Sequence, residues 1–179
     1  MGSDGNYYAG DTGWHSDGGH KAGDPMHIKL LFYLDHLTRD TGALRVIPGS
    51  HWLFGDYYAD TLQKAIGHSQ DLWGMGGAEI PSVALEVTPG DLAVSNHNTK
   101  HAAFGGGIRR RMFTMNLCQR YPDDRLEDLR EYIGGAARFL IERTYSEKMV
   151  GTASAERWRH LEQVRANDGH LACVNWCES

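Results

Sequence analysis

Residues 13–17 read Gly-Trp-His-Ser-Asp, which sets the imidazole of His15 two residues from the carboxylate of Asp17. In an extended strand, residues i and i+2 point to the same face, with Cα atoms about 6.6 Å apart at a rise near 3.3 Å per residue. Side chains so placed both reach one ion at about 2.0–2.2 Å. On a helix, i and i+2 do not face one way. That sets aside His160-Leu161-Glu162, which has the same spacing in a helical stretch and reads as a solvated face. With ten histidines in the chain, one His-x-Asp is close to an even bet by composition. The pair therefore gains weight only with a third ligand.

Two candidates for that ligand are His97 and His101, in GDLAVSNHNTKHAAF. His101 stands where one strand has turned and a new element begins; His97 directly follows a strand and is the reserve. Two histidines and one carboxylate on one face of a metal leave positions open, as in iron sites that activate oxygen. A structural zinc site fills all four positions with protein ligands, and no fourth ligand is evident. Arg109-Arg110-Arg111 opens the next alternating stretch. An inward guanidinium there needs a carboxylate or phosphate partner. A dicarboxylate cosubstrate chelating the metal at one end would supply that partner at the other. Lys29, inside the apolar run HIKLLFY, is either a solvent-reaching edge lysine or a pocket cation meeting such a carboxylate.

The elements that must position these groups are mostly strands. Residues 26–35, 44–48, 83–87, 91–96 and 109–118 are apolar or alternating and are separated by Gly, Pro and Asp turns. A modest helix is expected over 58–68. From about 122 the pattern turns helical. One helix runs over 122–149 with Asp123 or Asp124 as N-cap and a possible break at Gly134-Gly135; a second covers 153–166. Strands first and helices last predict a mainly β fold with C-terminal helices, a double-sheet jelly roll of the cupin-like, double-stranded β-helix kind. The expected organisation is a core over 1–121 and a helical extension over 122–179. The extension would pack on the core or on a partner subunit.

The bulk numbers narrow the function classes. A chain of 179 residues holds one domain with a sizeable core. A net charge of −5 without a basic block argues against nucleic-acid binding. No apolar run approaches the roughly 20 residues of a membrane helix. Three cysteines, Cys118, Cys173 and Cys177, make no disulfide framework, so a cytoplasmic setting is expected. Trp14, Tyr7 and Tyr8 read as core aromatics, and His51 as a residue holding its Pro-Gly-Ser-His turn.

Three stretches resemble the phytanoyl-CoA dioxygenase family of iron(II)- and 2-oxoglutarate-dependent oxygenases. They are Trp14-His15-Ser16-Asp17, LLFYLDHLTRDTGALRVIPGSHW (30–52) and GDLAVSNHNTKHAAFGGGIRRRMF (90–113). The likeness runs over residues 3–118 and leaves the helical tail uncovered. It implies a double-stranded β-helix in which His15, Asp17 and His101 hold iron(II); the distance from Gly90 selects His101 over His97. It further implies 2-oxoglutarate and O2 as cosubstrates, with Arg110 pairing with the far carboxylate and Arg109 and Arg111 as alternatives. The implied activity is hydroxylation of an unactivated C–H bond of a small-molecule substrate, with 2-oxoglutarate converted to succinate and CO2. A carboxylate at Asp17 fits hydroxylation, since related halogenases carry a small residue there.

The resemblance also has departures. Ala103 stands where the family often has Ser, so a cosubstrate hydrogen bond is expected instead from Thr114 or Asn116, which share a strand face with Arg110. His15 lies close to the start of the chain, where relatives carry a substantial preceding segment. A homo-oligomer or a complementing subunit is therefore expected to complete the pocket. The competing readings are an accessory jelly-roll metal-binding module and a cupin-type metalloenzyme that uses no 2-oxoglutarate.

Overall fold

Alternating and apolar runs become strands in the computed structural model, which describes residues 10–18, 23, 25–52, 56–107, 110–136 and 143–171. The chain divides into two compact units, residues 1–119 and 120–179. In the first unit the strands are β1 (Thr12–His15), β2 (His27–Tyr33), β3 (Leu44–Val46), β4 (Val83–Leu85), β5 (Leu92–Asn96), β6 (His101–Ala103) and β7 (Met112–Cys118). They form a four-stranded sheet in the order β1-β6-β3-β4 and a three-stranded sheet in the order β5-β2-β7. Every pairing is antiparallel. Helix α1 (Asp56–Gly67) matches the expected helix, and a short α2 (Ser69–Trp73) follows it.

The period of two decides what each sheet buries. On β2, Leu31 and Tyr33 point inward and pack with Leu37, Ala43 and Val87, and with Leu44 of β3, Ala93 of β5 and Met112 of β7. Leu44 comes from one sheet and the rest of the strand residues from the other, so this cluster lies between the sheets. Each fully buried side chain of this size contributes about 1.5–3 kcal/mol. The opposite face of the four-stranded sheet carries Trp14 and Ala102, covered by Ile66 and Leu62 of α1 together with Ile80, Ile47 and Phe104. Trp14 is the one buried side chain of the four-residue β1, and its indole N–H donates to the Gly77 carbonyl at 2.9 Å. Its burial thus leaves no donor unpaired.

Turn chemistry fixes the loops that flank the site. Gly42, at φ +98°, ends the turn over 38–42, where the Thr38 amide donates to Thr41 Oγ1 at 2.7 Å. In the Pro-Gly-Ser-His turn, Ser50 rather than His51 does the holding. Its buried hydroxyl donates to the Ile47 carbonyl at 2.7 Å and accepts from the Lys100 amide at 2.8 Å.

The second unit is helical. After a 3-10 turn at Asp123–Arg125, α3 (Leu126–Ala136) buries Leu129 and Ile133, one turn apart. Helix α4 (Glu147–Gly151) starts at Ser146, and α5 (Ala155–Asn167) at Ser154. Each serine hydroxyl accepts the amide three residues on. The single helix expected over 122–149 is thus replaced. Neither Asp123 nor Asp124 caps it, the helix passes through Gly134-Gly135, and residues 143–146 are non-helical. Asp168, fully buried, draws Arg143 and the Thr144 amide away from helical geometry. No helix of the described residues is long and apolar enough to cross a membrane. Cys118 is a free thiol, while Cys173, Cys177, Tyr7 and Tyr8 lie outside the described residues.

Candidate metal centre

His15 and His101 stand opposite each other on the β1–β6 ladder. Between Thr12 and His15 the register slips by one residue, because three steps on β1 match two steps from Ala103 to His101. Such a bulge re-aims the side chain that follows it. It brings the two imidazoles to a centroid separation of 4.3 Å. Asp17 follows β1, and the amides of Asp17 and Gly18 donate to the His97 carbonyl at 2.9 and 3.3 Å. The two segments run close together at Gly18, where a Cβ would lie 2.6 Å from Asn98 Oδ1 and 3.2 Å from the His97 Cβ.

The hydrogen bonds fix the imidazole tautomers. His15 Nδ1 lies 2.8 Å from the Gly13 carbonyl, and His101 Nδ1 lies 2.9 Å from the Thr99 carbonyl. A carbonyl only accepts, so each Nδ1 carries the proton and each Nε2 presents a lone pair. Both lone pairs face one carboxylate, with His15 Nε2 at 3.8 Å from Asp17 Oδ1 and His101 Nε2 at 3.5 Å from Asp17 Oδ2. One ligand atom from each of the three residues falls within 4.8 Å of the others. Three acceptors converging without a proton between them are the donor set for a cation, and backbone-anchored Nδ1 groups are how ligating histidines are oriented. Among the described residues the cluster holds no fourth His, Cys, Asp or Glu. That fits an open site rather than a closed zinc site.

Charge at the site is arranged consistently. Burial raises the Asp17 pKa, but the bond from Lys29 and the charges of Lys29, His101 and His15 outweigh it and hold the carboxyl below its usual range. Burial pushes the His101 pKa down, which favours the neutral imidazole, while the Thr99 carbonyl and Asp17 pull the other way. Lys29 Nζ bonds Asp17 Oδ2. It is not an edge lysine, because β2 is the central strand of its sheet, with Ser95 and Asn116 as cross-strand partners.

The other sequence-identified residues take separate places. His97 is buried beside His27, outside the cluster, and serves Asp17 through its carbonyl. Arg110 lies toward the Thr12 end of β1, donating from Nη1 to the Gly42 carbonyl at 3.2 Å and from Nη2 to Thr12 Oγ1 at 3.4 Å. Arg111 turns outward to Asp35 at 2.6 Å, and Arg109 lies outside the described residues. Thr114 is opposite Leu31 on β7 and exposed. Two supporting residues were missed in the sequence. Gln63 donates to the Trp14 carbonyl at 2.8 Å, next to His15, and Ser50 holds Lys100, next to His101. Ser50 lay in the quoted turn motif, whereas nothing local marked Gln63.

Comparison with known proteins adds a lineage. The family model described as phytanoyl-CoA dioxygenase (PhyH) matches residues 6–112. No curated protein matches the sequence significantly. Among solved structures, the chain is similar to AviO1 from Streptomyces viridochromogenes Tue57, at 23% identity and a TM-score of 0.46, covering 65% of this chain and 48% of that one. It is also similar to EvdO2 from Micromonospora carbonacea var. aurantiaca, solved with 2-oxoglutarate, at 19% identity and a TM-score of 0.40, covering 66% and 51%. A third is the epimerase SnoN, in complex with Fe3+, alpha ketoglutarate and nogalamycin RO, at 19% identity and a TM-score of 0.38, covering 63% and 46%. The chain thus spans about half the length of these proteins.

Proposed function

The chain belongs to the phytanoyl-CoA dioxygenase family, and from that membership we propose that it is an iron(II)- and 2-oxoglutarate-dependent dioxygenase hydroxylating a small-molecule substrate. In this reading the two facing sheets are the double-stranded β-helix. His15, Asp17 and His101 would hold the metal, which with 2-oxoglutarate and O2 supplies oxidation of an unactivated C–H bond, coupled to formation of succinate and CO2. The observation that carries the reading is the pair of Nε2 lone pairs, each fixed by a backbone carbonyl behind it and both facing the Asp17 carboxylate.

The remaining residues bind and orient. Arg110 would take the far carboxylate of 2-oxoglutarate. Its guanidinium donates at 3.2 Å to a carbonyl and at 3.4 Å to a hydroxyl, and a carboxylate would offer shorter, charge-assisted bonds. Lys29 has ammonium protons beyond the one given to Asp17, and would offer one to the cosubstrate at the metal end. Thr114, across from Leu31, would contribute a hydroxyl to the same cosubstrate from β7. The test is anaerobic loading with Fe(II), then O2 and 2-oxoglutarate, with succinate as the product measured. Succinate should form with the parent protein and be lost in Asp17→Ala and His101→Ala. No succinate from a protein that binds both iron and 2-oxoglutarate would favour an accessory binding module. The Lys29–Asp17 contact is the observation on that side, since it already neutralises the carboxylate.

A second copy completes the proposal. The outer face of the three-stranded sheet is apolar, with Leu92, Val94, Phe113, Met115 and Leu117 each 42–60% exposed. Phe32 stacks on Phe113 beside them, with centroids 4.4 Å apart. Packed on its own copy, such a face would be withdrawn from water, which is favourable in proportion to the apolar area removed. A self-complementary sheet face suits an isologous dimer. Light scattering should give a dimer, and Val94→Lys should give a monomer; a monomeric parent protein would overturn it.

A further inference from the structure

Lys100 directly precedes His101, a proposed metal ligand, and is buried, only 4% exposed. A buried ammonium is costly unless a partner holds it. Its Nζ donates to Ser16 Oγ at 3.1 Å. Ser16 is the residue between His15 and Asp17, the other two members of the metal cluster. One side chain therefore joins the segment that carries His101 to the segment that carries His15 and Asp17. The backbone of Lys100 is fixed as well. Its amide donates to the buried Ser50 hydroxyl at 2.8 Å, and its carbonyl accepts the Ile47 amide at 3.0 Å. The Lys100 amide shares one planar peptide unit with the Thr99 carbonyl, which lies 2.9 Å from His101 Nδ1. Holding that N–H sets the direction of the C=O that orients the His101 imidazole.

We propose that Lys100 is a positioning residue of the metal centre, a clamp whose backbone sets His101 and whose ammonium, through Ser16, sets His15 and Asp17. This rests on the oxygenase reading above and adds to it the residue that holds the three ligands in register. The ammonium is not there for stability. Asp60 of α1 attracts it, but burial outweighs that attraction and pushes the Lys100 pKa down. An apolar side chain of similar length would cost less in the same place. What the charge adds is a charge-assisted bond to Ser16, stronger than a neutral group would make. Lys100 also differs from Lys29. Lys29 bonds the carboxylate of Asp17 itself, on which the metal would draw, whereas Lys100 bonds a residue that is no ligand. It can therefore hold the His15–Asp17 segment with the metal in place. The two possible effects of the Lys100 ammonium have opposite signs. Its charge alone would repel a metal cation, and its contact with Ser16 would favour one.

The experiment titrates the full-length parent protein, Lys100→Met, Ser16→Ala and the double variant with Co(II) by calorimetry, and melts each without metal. We expect Lys100→Met to bind Co(II) about tenfold more weakly, the effect of losing a residue that orients ligands. Its metal-free form should melt at or above the parent temperature, because a buried charge has gone. Ser16→Ala should weaken Co(II) binding to a similar degree. The double variant should bind no more weakly than either single one, since the two groups make one contact. Stronger Co(II) binding by Lys100→Met would show that only its charge is felt, and would overturn the assignment. So would an unchanged affinity, losses that add in the double variant, or a fall in affinity accompanied by a lowered melting temperature. Each of these leaves the oxygenase reading standing. A parent protein that binds no Co(II) would overturn both.

Discussion

The ammonium of Lys29 bonds Oδ2 of Asp17, the carboxylate that two imidazoles also face. A cation thus already occupies one side of the anion proposed to hold the metal. In the metal-free protein Lys29 offsets part of the cost of burying Asp17; with metal present it adds a like charge nearby. Lys29→Met removes both effects, and both act in one direction. Affinity for Co(II), measured by calorimetry on the full-length protein, should rise several-fold. A fall would mean that Lys29 instead holds the carboxylate in its ligating orientation.

Two of the three adjacent arginines, Arg110 and Arg111, make a sharp contrast. Arg110 points to Thr12 and Gly42, whereas Arg111 is fixed on Asp35 at the surface. Arg110→Ala should weaken 2-oxoglutarate binding about a hundredfold, as expected when a charge-assisted pair is lost. Arg111→Ala should leave it unchanged. The reverse result would place the cosubstrate carboxylate on the other face of the strand.

Gly42 is the glycine on which the Arg110 position depends. Its φ of +98° strains any L side chain, and a Cβ there would lie 2.6 Å from the Gly106 Cα. Gly90 has the same φ with open space around it. Gly90→Ala should therefore cost only the dihedral strain, about 1 kcal/mol, while Gly42→Ala should cost clearly more, up to about 3 kcal/mol. Because the Gly42 carbonyl holds Arg110, only Gly42→Ala should also weaken 2-oxoglutarate binding. Urea unfolding and ligand titration of the two variants test the contrast. Equal costs would mean that the loops at Gly42 and Gly106 separate readily.

What the sequence disclosed, and what it withheld, follows from the range of each interaction. His15 and Asp17 were legible because two residues in a strand share a face whatever surrounds them. The choice between His97 and His101 was not settled by local pattern. His97 opens the turn at 97–99 and His101 follows it, and only the β1–β6 register sets His101 across from His15. Whether Lys29 is at an edge or in the centre depends on β5 and β7, more than 60 residues away. Residues 143–146 carried helical spacing, yet Asp168 overrides it through Arg143 and Thr144. The apolar outer sheet face was hidden for a related reason. Alternation identifies two faces of β7, but Phe113, Met115 and Leu117 do not say which is inward.

Asp168 gives the helical unit a pH dependence of definite sign. Burial raises its pKa, but the hydrogen bonds from Arg143 and the Thr144 amide, with the charges of Arg143 and Arg165, outweigh burial and hold the carboxyl below its ordinary value. Arg143 Nε and the Thr144 amide both lie 2.8 Å from its oxygens. A carboxyl depressed in the folded chain stabilises it fully above the unfolded pKa near 3.9, and that stabilisation fades as pH falls through the folded value. At neutral pH, Asp168→Asn loses the charge-assisted part of these bonds. The cost should be about 2 kcal/mol, limited because the Arg143 side chain is 40% exposed and partly screened. Below about pH 4 Asp168 takes up a proton first in the unfolded chain and only at its lower, depressed value in the folded one, so the gap between the two proteins should narrow steadily. Urea unfolding of the full-length proteins, followed by far-ultraviolet circular dichroism across that range, reads the gap directly. A gap that stays constant into acid would show that the Asp168 charge contributes nothing, and that its role is one of shape.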